Sequence, residues 1–185
     1  MGMANEIFHP DVAGDDFVEA IFILMNRIKE EQLYPECMQY CNITSIYKNS
    51  GPRNEYNSYR GIFRITVFRN ILDCLIYQDE YKTVENGLTD SNIGSRKNRN
   101  IRDNIFVLGA VVNEVKNGEA DAIDICTYDI SKCFDALWLE ETINDLQETG
   151  LANDKLTLLY LENENAKIAV KTSEGMSIRV DIERI

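Results

Sequence analysis

Apolar residues in this chain recur mostly at helical spacing, and that rhythm constrains the fold more than any other feature. Over residues 16–33, DFVEAIFILMNRIKEEQL, the side chains of Phe17, Ile21, Leu24, Met25 and Ile28 fall on one helical face. Asp15 or Asp16 stands where a cap is expected, and Pro35 follows to end the helix. Residues 65–85 carry Phe68, Ile71, Leu72, Leu75 and Ile76 in the same way, and 101–117 carry Ile101, Ile105, Leu108, Val112 and Val115. Two more helices are predicted over 136–148, with Gly150 just past the end, and over 153–163. Strands are predicted at 42–48 and 122–128, with polar loops at 49–61 and 86–99. The last segment reads as a hairpin, NAKIAVK and SIRVDIE around a turn that holds Gly175. Helix-rich first, then strand, helix, helix and hairpin is an α+β order with an antiparallel sheet, not alternating βαβ.

Composition narrows the function classes. No window reaches the roughly 18 consecutive apolar residues of a membrane span, so no membrane partner is expected. The start, MGMANEIFHPDVAGDD, lacks the basic and apolar parts of a secretory signal. The five cysteines, Cys37, Cys41, Cys74, Cys126 and Cys133, are odd in number and form no CxxC pair, which favours a reducing compartment over a disulfide framework. With His9 as the single histidine, a Cys/His zinc site and a Ser-His-Asp triad are both poorly supported. Net charge is −12, which argues against a generic nucleic-acid binder. The charge is uneven, however: residues 41–105 hold ten Lys and Arg against seven Asp and Glu, and the remainder nine against twenty-four. Such a basic island is either a solvated patch or a local attractor of phosphate.

The stretch Cys126 to Leu137, CTYDISKCFDAL, places Asp129 at the end of the predicted strand and Asp135 before a helix. An Asp at a strand end can hold a divalent cation, with a neighbouring backbone carbonyl as a second oxygen ligand. By spacing alone, Asp129 capping a turn and Asp135 capping the helix is the favoured account.

TYDISKCFDALW resembles the first catalytic motif of reverse transcriptases, in which a strand leads to a metal-binding Asp and a Phe-Asp pair opens a helix. Three further segments resemble the same family in the same order. NITSIYKNSGPRNEYNSYRGI is similar to the fingers segment with a basic residue after an apolar strand and a Tyr-Arg pair closing a loop. IGSRKNRNIRDNIFVL is similar to the next segment, where a Gly and a basic cluster open a helix. The helix before Pro35 resembles the N-terminal extension of non-LTR retrotransposon and group II intron enzymes.

The resemblance implies an N-terminal extension helix over 1–40, helix-rich fingers over 41–118, and part of an antiparallel-sheet polymerase palm over 119–185. It implies an RNA-directed DNA polymerase that adds deoxynucleoside triphosphates to a DNA primer on an RNA template. Asp129 would be the catalytic carboxylate and would bind Mg²⁺ together with the backbone carbonyl of Ile130. Phe134 would sit beneath the incoming sugar and disfavour the 2′-hydroxyl, the group that separates RNA from DNA. Lys48 and Arg60 would contact the triphosphate, Arg through its two-pronged fork and Lys as a point charge. Arg96, Lys97 and Arg99 would line the template or primer path. Read as residues alone, these remain an ordinary core Phe, two surface cations and a solvated loop.

The sequence also departs from the family. Ser95 follows Gly94 where an aromatic is usual, and Gly61 follows the Tyr-Arg pair where Pro is usual. No Asp-Asp pair follows residue 129; the one pair in the chain is Asp15-Asp16. The Gln-Gly motif expected after the terminal hairpin is missing too. The expectation is therefore a fragment, fingers plus the first part of the palm, that does not polymerise on its own. The alternative is a non-catalytic RNA-binding or scaffold domain derived from such an enzyme. An unfinished palm would expose apolar sheet surface and leaves self-association through it open. The expected compartment is intracellular, nucleus or cytoplasm for a eukaryotic retrotransposon.

Overall fold

A computed structural model describes residues 12–118, 122–130, 133, 137–164, 166–172 and 175–181. Helix α1 (Asp15–Glu31) buries Met25 and Ile28. Its N-cap is Gly14, which offers no side-chain bond, and Asp15 and Asp16 lie inside the first turn. Neither caps the helix, but both complement the positive end of its dipole. At the other end Gln32 turns left-handed, with φ 52°, and its amide donates to the Lys29 carbonyl at 2.6 Å. A 3₁₀ turn over Glu36–Met38 then leads into β1 (Tyr40–Tyr47).

Strand β2 (Tyr59–Arg64) returns antiparallel to β1, with Tyr47 opposite Tyr59 and Asn42 opposite Arg64. The loop between them therefore ends at Ser58, three residues earlier than the polar composition suggests. Helix α2 (Val67–Gly87) begins where the Thr66 hydroxyl accepts from the Arg69 amide at 3.2 Å. Helix α3 (Ile101–Lys116) opens on a reciprocal cap: the Arg102 amide donates to Asn100 Oδ1, and the Asn100 amide donates to Asp103 Oδ2. Helix α4 (Leu139–Glu148) closes at Gly150, where φ is +92°. The Gly150 amide donates to the Gln147 carbonyl and the Leu151 amide to the Leu146 carbonyl, the paired bonds of a Schellman ending. Helix α5 (Asn153–Glu164) runs almost directly into β3 (Lys167–Thr172), and the short strands β4 (Gly175–Met176) and β5 (Val180–Asp181) follow.

The fold class is α+β, as expected, but the sheet is mixed and not antiparallel. Its order is β2-β1-β3-β4, with β5 also pairing β3. Strand β3 runs parallel to β1, with Cys41 beside Ile168 and Ile43 beside Val170. Parallel neighbours need a long crossover between them, and here four helices supply it. Lys167 is tied twice to the segment just before β1. Its amide donates to the Gln39 carbonyl, and its ammonium pairs with Glu36 at 2.9 Å.

The predicted strand over 122–128 does not form: residues 122–130 carry no regular structure and are exposed. Strand propensity reports how well side chains fit a half-buried pleated surface. No described strand lies beside this run to supply that surface or the ladder bonds.

The core draws on segments far apart in sequence. Met25 and Ile28 from α1, Met38, Leu72 and Ile76 from α2, and Leu158 from α5 form one buried cluster. Tyr34, Phe68, Ile71, Leu75 and Leu159 pack around it. By contrast α3 buries none of its residues among the described elements: Ile101, Ile105 and Phe106 are all more than half exposed.

Candidate functional site

Sequence-predicted site residues fall in three places. The first is the tip of the β1–β2 hairpin. The Lys48 amide donates to the Ser58 carbonyl at 2.9 Å, which carries the strand register one step past Tyr47. Arg60 stands opposite Ile46. Alternation then puts Lys48 and Arg60 diagonally on one face of the hairpin. Both are exposed. Lys48 Nζ donates to the Asn57 carbonyl at 2.8 Å, which holds its side chain over the loop and leaves further N–H groups for a ligand.

The opposite face is an aromatic brace. The rings of Tyr47 and Tyr59 lie 5.5 Å apart, and the Arg53 guanidinium sits 4.8 Å from the Tyr47 ring centre. Tyr47 donates to the Gly51 carbonyl and Tyr59 to the Arg53 carbonyl. Gly51 is required here twice over. Its φ is +80°, and a Cβ would stand 2.6 Å from the Ser58 hydroxyl. The tip is thus a closed loop with two cations on one side.

The second place is the basic loop after α2. It separates Arg96 from its neighbours. The Arg96 side chain is 8 % exposed, and its fork is fully engaged inside the molecule. It donates twice to Glu85 Oε1, at 3.0 and 2.7 Å, and to the carbonyls of Thr89 and Asn92. The Arg96 guanidinium, through its hydrogen bonds first, holds the Glu85 carboxyl below the usual range. Arg96 is therefore a staple of the loop in this arrangement, with all three guanidinium nitrogens engaged. Lys97 lies over two rings, 4.3 Å from the centre of Tyr81 and 5.7 Å from that of Tyr77. Arg99 pairs with Asp90 at 2.9 Å on the surface and is the most open of the three to exchange partners.

The third place is the run through Asp129. Asp129 is exposed, and its neighbours Tyr128 and Ile130 are 90 % and 71 % exposed. Phe134 and Asp135 lie outside the described residues. By the resemblance alone, Asp129 and the Ile130 carbonyl would be one half of a two-metal site. Among the described residues, no three acidic, cysteine or histidine side chains come together to hold a metal ion. The described residues do not fit a two-metal centre by themselves, and no step through such a centre follows from them.

One polar cluster escaped the sequence reading: Arg69 on α2 and Glu162 on α5, both buried beside the core, with the half-buried Asp73 of α2 next to them. A signal was present, because Arg69 falls between Phe68 and Leu72, and Glu162 one turn after Leu158. A charge at a core-facing position is fully buried only where it finds a partner.

Compared with known proteins, the chain matches no protein-family model and no curated protein. Among the described residues no helix is long and apolar enough to cross a membrane.

Proposed function

We propose that the chain is the fingers and first part of the palm of an RNA-directed DNA polymerase of the non-LTR retrotransposon or group II intron type. The observation that carries the reading is the hairpin tip. The cation after the first strand and the Arg of the Tyr-Arg pair, distant in sequence, share one face of a braced loop. A pair of cations so held suits a triphosphate or a nucleic-acid phosphate. In the complete enzyme a primer 3′-hydroxyl attacks the α-phosphate of a deoxynucleotide. Asp129 would contribute one of the carboxylates that hold Mg²⁺, which stabilises the developing charge. Arg99 and Lys97 remain candidates for the template or primer path, whereas Arg96 supports their loop.

A second reading is favoured by a different observation. No Asp-Asp pair follows Asp129 in these 185 residues, and no three potential metal ligands meet among the described residues. A non-catalytic RNA-binding or scaffold domain needs neither.

The test is binding of a fluorescent RNA–DNA primer–template by the purified chain, followed by anisotropy across a salt series. Removing one phosphate contact lowers the salt slope by about 1. Lys48→Ala and Arg60→Ala are each expected to do this, whereas Lys116→Ala on α3 leaves the slope unchanged. Equal slopes for all three variants would remove the hairpin tip from the interface. Mg²⁺-dependent primer extension by this chain would refute the need for a second carboxylate motif.

A further inference from the structure

The charged cluster beside the core is used by neither reading of the function. Arg69 and Asp73 stand one turn apart on α2, and Glu162 faces them from α5. Arg69 Nη2 donates to Glu162 Oε1 and, at 3.2 Å, to Asn163 Oδ1. The Arg69 and Glu162 side chains are 10 % and 4 % exposed. Tyr34 faces the cluster from the segment between α1 and β1, and Cys41 faces Arg69 from β1 itself. Four buried polar atoms around it have no hydrogen-bond partner among the described residues: Tyr34 Oη, Arg69 Nε, Asp73 Oδ1 and Glu162 Oε2.

Two of those four are carboxylate oxygens, on residues within hydrogen-bonding reach of each other. Ionised carboxylates only accept, so neither can satisfy the other. A single proton resolves this. With Glu162 Oε2 protonated, its O–H donates to Asp73, while Oε1 still accepts from Arg69. The count then closes at one carboxylate against one guanidinium, which a dry site tolerates far better than two against one. We propose that Glu162 and Asp73 are joined at neutral pH by one proton, and that this proton is a pH-sensitive latch holding α5 to α2.

The electrostatics point the same way. Burial first, opposed by Arg69 and reinforced by Asp73, pushes the Glu162 carboxyl up to about 8. A raised carboxyl holds its proton in the folded chain after the unfolded chain has lost it. Stability is therefore full below the unfolded value of 4.5 and is lost as pH rises through about 8. The other shifted carboxyls, Glu36, Asp79, Glu85 and Asp154, are all lowered by Lys or Arg partners and act at the acid end. Tyr34 and Cys41 are raised, chiefly by burial, so among the described carboxyls and phenols the window between belongs to Glu162. Because α5 leads into β3 across Ala166, which is buried, releasing the latch loosens β3 against β1.

Urea unfolding of the full chain from about pH 5.5 to 9 tests the latch. One proton held only by the folded chain makes the unfolding constant rise about tenfold per pH unit up to about pH 7.5, then flatten. Glu162→Gln, which copies the protonated acid, is expected to stay folded at neutral pH and to lose that rise. Parallel curves for wild type and Glu162→Gln would overturn the proposal, as would a variant equally weakened at every pH, the mark of a plain ion pair with Arg69. Asp73→Asn supplies an amide donor in place of the proton and should flatten the curve too; a retained slope counts against the latch. Independently of any variant, infrared difference spectra of wild type should show a protonated carboxylic acid near pH 6 that disappears by about pH 9.5. Its absence refutes the shared proton.

Discussion

Leu158→Ala is the sharpest probe of how this molecule is held together. Leu158 is 0 % exposed and lies in the cluster with Met25 and Ile28 from α1, Met38, and Leu72 and Ile76 from α2. The substitution removes three carbons, about 0.8 kcal/mol each in transfer terms, or about 2.4 kcal/mol. The space left behind is lined by residues from three elements that cannot all move inward together. The cavity adds enough to bring the total to about 3–5 kcal/mol. With a urea slope near 2 kcal/mol per molar, the unfolding midpoint should fall by roughly 2 M. The assay is urea denaturation followed by far-ultraviolet circular dichroism, with Leu108→Ala as the control. Leu108 has the same chemistry but is 45 % exposed on α3, so its replacement should cost no more than about 0.5 kcal/mol. A Leu158→Ala loss below about 1 kcal/mol, or one equal to that of Leu108→Ala, would refute a single core shared by α1, α2 and α5. The double variant Leu72→Ala/Leu158→Ala should cost less than the sum of its parts, because the two side chains line one space.

Two further outcomes follow from local geometry. Gly150→Ala should cost roughly 1–2 kcal/mol in thermal or urea unfolding. Its φ of +92° strains any side chain, whereas the nearest atom to a new Cβ, Thr83 Cγ2 at 3.7 Å, is an ordinary contact. Arg96→Ala should speed amide exchange across the 88–100 loop and leave that of α5 unchanged, because it removes four hydrogen bonds confined to Glu85, Thr89 and Asn92.

What the sequence disclosed, and what it did not, differs residue by residue. The spacing of Met25, Ile28, Leu72 and Ile76 was enough to place them inside, since a helix with one apolar stripe must bury it. The same spacing in α3 predicts a buried face that no described element covers, because periodicity defines a face and not its partner. The direction of β3 was illegible: alternation within KIAVK is identical for a parallel and an antiparallel neighbour. Arg96, Lys97 and Arg99 looked alike as a basic run. Only the fold shows one saturated by Glu85 and two carbonyls, one resting on tyrosine rings and one in a surface pair. Asp129 lies in an exposed run between Tyr128 and Ile130, a placement that spacing in the sequence did not reveal.

The parallel seam between β1 and β3 also has a consequence in time. Lys167 meets Glu36 across 131 positions of chain. A ribosome adding roughly 5–20 residues per second needs roughly 7–26 seconds to make that stretch. For most of that interval, from the completion of β2 at Arg64 onward, the β1–β2 hairpin can close its own ladder but has one flank bare, with the N–H and C=O groups that will face β3 still open. During synthesis this half-built sheet is the surface on which a nascent chain of this kind is most exposed to wrong pairing, and where a holding chaperone has most to protect.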